Sequence, residues 1–394
     1  MKVSVPNKRM ENIVIEGGIL DILEKADELQ RKGRKIIHLE IGRPDFDSPA
    51  CAKKAAAESL ERGEVHYTSM AGTLALRTAI AEKVSREQGI KVDPATEVVV
   101  TAGAQESNFM TFFTLLDQGD EVIIPTPLFS AYHEQLTMLG IKVVTVPTYI
   151  ENGFRLKVED LAKAITPRTR LLVINSPNNP TGAVLTIEDL KAIAKIVIDN
   201  DIWVLTDECY EQFSYDGAHH SIISLPGMKE RTVMISSSSK TFSMTGWRIG
   251  WAVMPASLQK YFVKAHEDNT ACANSFAQAG VLEALKNAWP DVKIMIEEYK
   301  KRRDLVVERL KKMKGLELTN PGGAFYVFPS IKKLGMSASD FCSYILEEAG
   351  VAIVPGESFL PEPSGGPYFR LAYCRSIEEL TEAMDRMENA INKL

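Results

Sequence analysis

Thr232-Val-Met-Ile-Ser-Ser-Ser-Ser-Lys240-Thr-Phe-Ser-Met-Thr-Gly-Trp-Arg248-Ile-Gly-Trp251 joins a short apolar run to four serines, a lysine and, eight residues further on, an arginine. A lysine set among small hydroxyl residues is a poor surface lysine and a good Schiff-base lysine for a phosphorylated aldehyde. Desolvation lets the amine lose its proton and attack a carbonyl. Serine hydroxyls and a guanidinium hold a dianionic phosphate nearby. The plain alternative for the stretch alone is a solvated lysine after a serine-rich loop.

Working outward, the apolar run is one of a series: Glu97–Thr101, Glu121–Ile124, Lys142–Val146, Arg170–Ile174, Ile202–Leu205 and Thr232–Ile235. Helical patterns lie between them at Gln105–Leu116, Ser130–Leu139, Val158–Ala164 and Ile187–Asp199. Alternation of nearly all-apolar strands with helices predicts an α/β chain with a largely parallel sheet covered on both faces. Ligands of such sheets bind beyond the carboxyl ends of the strands. Three motifs fall there: Asn175-Ser-Pro-Asn-Asn179-Pro-Thr-Gly182 after Ile174, Asp207-Glu-Cys-Tyr210 after Leu205, and Lys240 after Ile235. After Pro290 the texture changes to a long charged helical stretch, Val292–Met313, then the segment Pro321–Phe328, helical patterns near 337–349 and 376–393, and a strand at Tyr368–Tyr373. This predicts a smaller α+β domain. No internal repeat is present.

At 394 residues the chain exceeds one ordinary core, in keeping with a large and a small domain. The net charge of −6 argues against a nucleic-acid surface, which needs a clustered positive field. Lys300–Arg303 and Lys311–Lys314 sit in helical patterns with nearby glutamates and read as solvated helix faces. The five cysteines, 51, 209, 272, 342 and 374, are widely spaced without a C-x-x-C, so neither a disulfide framework nor a zinc or other metal site is expected. No leader pattern and no apolar stretch near 18 residues is seen, which predicts a cytoplasmic protein away from membranes.

Taken together, the three ordered motifs resemble those of the class I aminotransferases of pyridoxal 5'-phosphate (PLP) fold type I. The resemblance runs from Gly42-Arg-Pro-Asp-Phe-Asp-Ser-Pro49 to Phe369-Arg370-Leu371. It implies a mostly parallel seven-stranded sheet with helices on both faces plus a smaller α+β domain. An N-terminal segment (1–45) would pack with the small domain and a partner subunit, residues 46–290 would form the large cofactor-binding domain, and 291–394 the small one. PLP asks for a lysine, an acid at its ring nitrogen, a phosphate cradle and packing for its ring. The resemblance gives these roles to Lys240 and Asp207, with Asn179 and Tyr210 donating to the phenolate oxygen. The turn Gly103-Ala104-Gln105 would place free N–H groups at a helix N-terminus for the phosphate, joined by Ser237 and Arg248. Phe129 would stack on the ring, and Tyr67 would reach the phosphate of the neighbouring subunit in a homodimer with shared sites. Arg370, whose planar guanidinium offers two parallel hydrogen bonds, would bind the substrate α-carboxylate, with Gly42 and Asn179 beside it. Each residue also has a structural reading: Asp207 as a helix N-cap, Asn-Pro-Thr-Gly as an ordinary turn, Phe129 as core.

The activity so implied is transfer of an amino group from an L-amino acid to a 2-oxo acid by a ping-pong route through pyridoxamine phosphate, with Lys240 as general base and acid. A β-lyase, a ring-closing synthase and a PLP-dependent oxidase use the same cofactor residues. A non-enzymatic PLP-binding sensor is the remote alternative, since such regulators need a DNA-binding helical module ahead of this domain, and the 41 residues before Gly42 contain no basic recognition helix. Two departures bear on specificity. Many relatives have glutamate where Arg43 stands, and some dicarboxylate-specific members have lysine where Gln105 stands. A pocket lined by residues near Ile15–Leu20, Gln105, Phe129 and Tyr326 leaves a distal carboxylate unpaired, so neutral or aromatic donors are expected to outperform aspartate unless Arg43 or the partner subunit supplies a charge.

Overall fold

The computed structural model describes residues 7–11, 13, 19–359 and 366–394. Its strands, in chain order, are β1 (Ile37–His38), β2 (Val98–Thr101), β3 (Glu121–Thr126), β4 (Lys142–Pro147), β5 (Thr169–Asn175) and β6 (Trp203–Asp207). They continue with β7 (Thr232–Ser237), β8 (Gly250–Val253), β9 (Tyr326–Val327), β10 (Val351–Ala352), β11 (Val354–Pro355) and β12 (Phe369–Ala372).

Seven of these form one sheet in the order β2-β8-β7-β6-β5-β3-β4. Within it β3, β4, β5, β6 and β7 pair in parallel, and β8 runs antiparallel to both its neighbours. Period-two alternation explains why the central strands are apolar throughout. On β5, Leu171 and Val173 face the helices Ala104–Leu115 and Ser130–Leu139, while Leu172 and Ile174 face the helix Ile187–Asp199. That last helix starts at a capping box, in which Thr186 and Asp189 satisfy each other's free backbone N–H groups.

A second body of core is built around the helices Ala338–Ala349 and Ile377–Ile391 and the three-stranded antiparallel sheet β11-β12-β9. β1 pairs in parallel with β10, Ile37 opposite Val351 and His38 opposite Ala352, so these two residues pair with ones 314 positions later. One basic stretch departs from its sequence reading. Lys300 and Lys301 are exposed, but Arg302 and Arg303 are buried. Arg302 pairs with Asp45 at 2.7 Å and Glu298 at 3.1 Å, and Arg303 with Asp216 at 2.6 Å. The carboxylates that draw them inward come mostly from distant parts of the chain, out of reach of a local pattern.

Candidate active site

The strand ends place the site. β5 ends at Asn175, registered opposite Asp207 at the end of β6, which is opposite Ile235 on β7. β7 continues to Ser237, and one helical turn later comes Lys240. These ends open into a cavity of about 310 Å³ whose walls include Lys240, Asp207, Tyr210, Asn179, Arg248 and Arg370.

Lys240 Nζ donates to the Gly42 carbonyl at 2.6 Å and lies 5.6 Å from the centre of the Phe325 ring. Burial lowers its pKa from the ordinary lysine value, and the Arg370 and Arg248 charges add to the shift. Gly42 is required here by close approach, because a Cβ would sit 1.8 Å from Tyr326 Oη.

Asp207 is held by three donors. Tyr132 Oη reaches its Oδ2 at 2.7 Å, Asn108 Nδ2 reaches the same oxygen at 3.4 Å, and the Cys209 N–H reaches Oδ1 at 3.1 Å. A turn follows it rather than a helix, so helix capping does not account for this carboxylate. Tyr210 Oη and Tyr326 Oη lie 2.9 Å apart, and burial pushes the Tyr210 phenol well above its ordinary value.

Gly103, at φ 90°, precedes the helix Ala104–Leu115, and Arg248 lies across this turn. A Cβ on Gly103 would meet Arg248 Nη2 at 2.4 Å. Arg248 donates to the carbonyls of Thr245 at 3.0 Å and Ala102 at 3.4 Å. The helix N-terminus and the guanidinium thus meet at one side of the cavity, whose wall also includes Ser237, an arrangement that favours an anion. Ala104, Gln105 and Phe129 are also on the walls. Phe129 meets Tyr132 edge to face, ring centres 5.6 Å apart.

Arg370, on β12, is buried between two rings, 4.7 Å from the centres of both Tyr326 and Phe359. Its Nη1 donates to Asn179 Oδ1 at 3.0 Å and its Nη2 to the Glu40 carbonyl, while Nε has no partner among the described residues. Asn178, by contrast, is spent on its own turn, accepting from the Thr181 N–H and hydroxyl.

Two sequence candidates lie elsewhere. Tyr67 is 82% exposed and is not on the cavity wall of its own chain. Arg43 is exposed and lines a neighbouring, larger cavity with Lys53 and Ser243. Of the expected pocket residues, Gln105, Phe129 and Tyr326 are on the wall, and Ile15 to Gly18 lie outside the described residues. Sequence reasoning missed Asn108 and Tyr132. The available signal was helical spacing, since they follow Ala104 by four residues and Phe129 by three, on the faces those residues present.

An amine of lowered pKa, a fixed carboxylate, an anion corner and a buried guanidinium at the ends of parallel strands define an α/β enzyme of amine–carbonyl chemistry. Residues 34–387 match the family described as "Aminotransferase class I and II". The chain is 44% identical to the aromatic-amino-acid aminotransferase 2 of Thermococcus litoralis over 374 residues, 94% of this chain and 95% of the relative. It is equally identical, with the same coverage, to an aspartate aminotransferase of Pyrococcus abyssi. Its fold superposes on that of the Thermus thermophilus aspartate aminotransferase solved with maleate at a TM-score of 0.93, with 37% identity over 98% of this chain and all of the other. The chain belongs to the class I and II aminotransferases, has the PLP type I fold, and is an amino-acid aminotransferase. Among the described residues no helix is long and apolar enough to cross a membrane.

Proposed function

We propose that the cavity holds pyridoxal 5'-phosphate on Lys240 and that the chain moves an amino group from an L-amino acid to a 2-oxo acid in two alternating half-reactions. The observation that carries this is the sharing of one cavity by Lys240, Asp207, Arg248 and Arg370, with the lysine amine made easier to deprotonate by burial. The residues fit the group. Three buried polar atoms of the cavity residues, Glu40 Oε2, Asn108 Oδ1 and Arg370 Nε, have no partner among the described residues, and the Gly103 corner offers backbone N–H groups at a helix N-terminus.

When bound, pyridoxal phosphate supplies an aldehyde for the amino group and a ring that accepts the electron pair of the broken Cα–H bond. Lys240 Nζ takes the proton from the substrate Cα and returns one in the reverse direction. Asp207, fixed by its three donors, holds a proton at the ring nitrogen. Asn179, whose Oδ1 is committed to Arg370, keeps Nδ2 free to donate to the phenolate oxygen together with Tyr210. Gly103, Ala104, Gln105, Ser237 and Arg248 receive the phosphate, and Phe129 covers the ring. Arg370 binds the α-carboxylate, with Gly42 and Asn179 lining its place.

The assembly in this reading is a homodimer in which Tyr67, exposed in one chain, reaches the phosphate of a second. Residues 1–45 and 291–394 act as a smaller unit against 46–290, a division supported by the β1–β10 pairing. Free thiols at all five cysteines suit a reducing cytoplasm. The side-chain wall of Gln105, Phe129 and Tyr326 carries no charge, and Arg43 faces the neighbouring cavity. An unpaired distal carboxylate is costly to bury there. Neutral or aromatic donors are therefore favoured over aspartate, with 2-oxoglutarate or pyruvate as acceptor.

Borohydride reduction of the loaded enzyme followed by peptide mapping tests the site. The pyridoxyl label is expected on Lys240, and a label on another lysine refutes the assignment. An anaerobic donor screen tests the specificity, and the highest kcat/KM with aspartate would overturn that part.

A further inference from the structure

The turn that carries Asp207 and Tyr210 has a second face. Glu208 and Glu211 alternate with them, are buried to 1% and 4% exposure, and are absent from the cavity wall. Glu208 accepts from the Thr206 hydroxyl at 2.9 Å, from His219 Nε2 at 2.8 Å and from the Ser221 hydroxyl. Glu211 Oε1 accepts from Lys83 Nζ at 2.6 Å and from the Ser236 hydroxyl at 3.3 Å, and its Oε2 has no partner among the described residues. Lys83 comes from the helix Leu74–Gln88 and is 2% exposed. Its second partner is Glu87, one turn along the same helix, also at 2.6 Å. Burial disfavours the Lys83 ammonium, but the Glu211 and Glu87 charges outweigh it and raise its pKa.

A buried ion pair is weak as a source of stability, so its position is the informative feature. Glu211 ties the Asp207–Glu211 turn to Ser236, the residue immediately before Ser237 on β7, and Lys83 fixes both to a helix outside the sheet. We propose that Lys83 and Glu211 are positioning residues that set the relative placement of the Asp207–Tyr210 turn and the Ser237–Lys240 segment, and thereby the affinity for the cofactor. This rests on the assignment of Asp207, Ser237 and Lys240 to pyridoxal phosphate made above.

The two partners of Lys83 supply the test, because both are carboxylates at the same distance and only Glu211 belongs to the turn. Protein freed of cofactor is titrated with pyridoxal phosphate by quenching of intrinsic fluorescence, and Tm is measured alongside without cofactor. Glu211→Gln is expected to raise the Kd by about tenfold or more, the size of effect typical when an outer support of a bound group is lost. Glu87→Gln is expected to lower Tm while leaving the Kd within about twofold of the parent. If Glu211→Gln does not fold, Ser236→Ala decides, since it removes only the 3.3 Å bond. It is expected to raise the Kd by about threefold, a fraction of the full effect. An unchanged Kd in the turn variant that folds, or Kd and Tm shifting in parallel in Glu211→Gln and Glu87→Gln, would overturn the proposal. Failure of the parent protein to bind pyridoxal phosphate, or a borohydride label away from Lys240, would instead sink the site assignment and take this proposal with it.

Discussion

Tyr132→Phe isolates one atom of the site. The phenol donates to Asp207 Oδ2 at 2.7 Å, and among the described residues the other hydrogen bond on that oxygen comes from Asn108 Nδ2 at 3.4 Å, near the limit for a hydrogen bond. Burial, with the adjacent Asp207 charge, pushes the Tyr132 phenol well above its ordinary value, so it stays protonated and a donor at any working pH. The substitution keeps the ring and its edge contact with Phe129. It removes one charge-assisted hydrogen bond, worth about 1.5–3 kcal/mol. If that support acts in full on the step in which the ring accepts charge, kcat falls roughly 10- to 150-fold at 1.4 kcal/mol per tenfold. KM should stay within about threefold, because Arg370 and its partners are untouched and the loss falls on the transition state. Single-turnover stopped-flow absorbance of one half-reaction, together with steady-state kcat and KM, measures both. A kcat within a factor of two of the parent, or a loss confined to KM, would refute the idea that Tyr132 holds Asp207 in its working state.

Glu106 gives a pH prediction. Burial works to raise its carboxyl, but the His266 hydrogen bond and charge, with Thr270 and the Ala102 N–H, bring it from 4.5 down to about 2. A depressed folded pKa means stabilisation that is fully present above the unfolded value and fades as pH falls toward 2, at most roughly 3 kcal/mol. Glu106→Gln should therefore lower the urea midpoint at pH 7, and the gap to the parent should narrow by pH 3; a gap independent of pH refutes it. Gly42→Ala would bring a Cβ to 1.8 Å from Tyr326 Oη and displace the carbonyl that receives Lys240. We expect a loss of kcat/KM of about tenfold or more, read by steady-state assay, and a fully active Ala variant would show that this approach is not needed. Mixing Tyr67→Phe and Lys240→Ala parents, both of low activity, should restore turnover in hybrid dimers that hold one intact site; no gain on mixing speaks against a shared site.

What was legible in the sequence is what is local to a strand end. Asn179, Asp207 and Lys240 each follow an apolar run by a few residues, so reading the run also placed the residue at the sheet's carboxyl edge. Six of the seven sheet strands were read this way. The seventh, β8, is four residues long and begins at Gly250, which lies so close to the next turn that a Cβ would stand 2.4 Å from the Ala104 N–H. A strand that short, opened by a glycine, offers no periodicity to detect. The two-residue strands β1, β9, β10 and β11 share that limit. Tyr132 and Asn108 were missed for a different reason: helical spacing puts them on the same faces as Phe129 and Ala104, but their value depends on which helix face meets Asp207. Arg302 and Arg303 looked like surface charge because their distant carboxylates, Asp45 and Asp216, lie 257 and 87 residues away.

Charge placement joins these particulars. The chain as a whole is acidic, yet its cavity gathers Lys240, Arg248 and Arg370 with two acidic residues on its wall, Asp207 and Glu40, and Glu40 meets Arg370 through its backbone carbonyl. Among the described residues no carboxylate pairs with Arg370 or Arg248. Arg370 is held by an amide oxygen, a backbone carbonyl and two aromatic faces. These neutral partners orient the guanidinium without cancelling its charge. Had a carboxylate held it instead, an incoming α-carboxylate would first have to break a buried ion pair, a cost of several kcal/mol. Asp207 shows the complementary choice. Its three donors, a phenol, an amide and a backbone N–H, are neutral too, so its negative charge stays available for the one cationic N–H it is proposed to hold. Burial is the main reason the Lys240 amine is deprotonated more readily than an ordinary lysine, and the two neighbouring guanidinium groups act on it in the same direction. An anion entering the corner by Arg248 or the place beside Arg370 relieves part of that electrostatic cost, so in the proposed reading the binding of phosphate and of substrate is coupled to the protonation of Lys240.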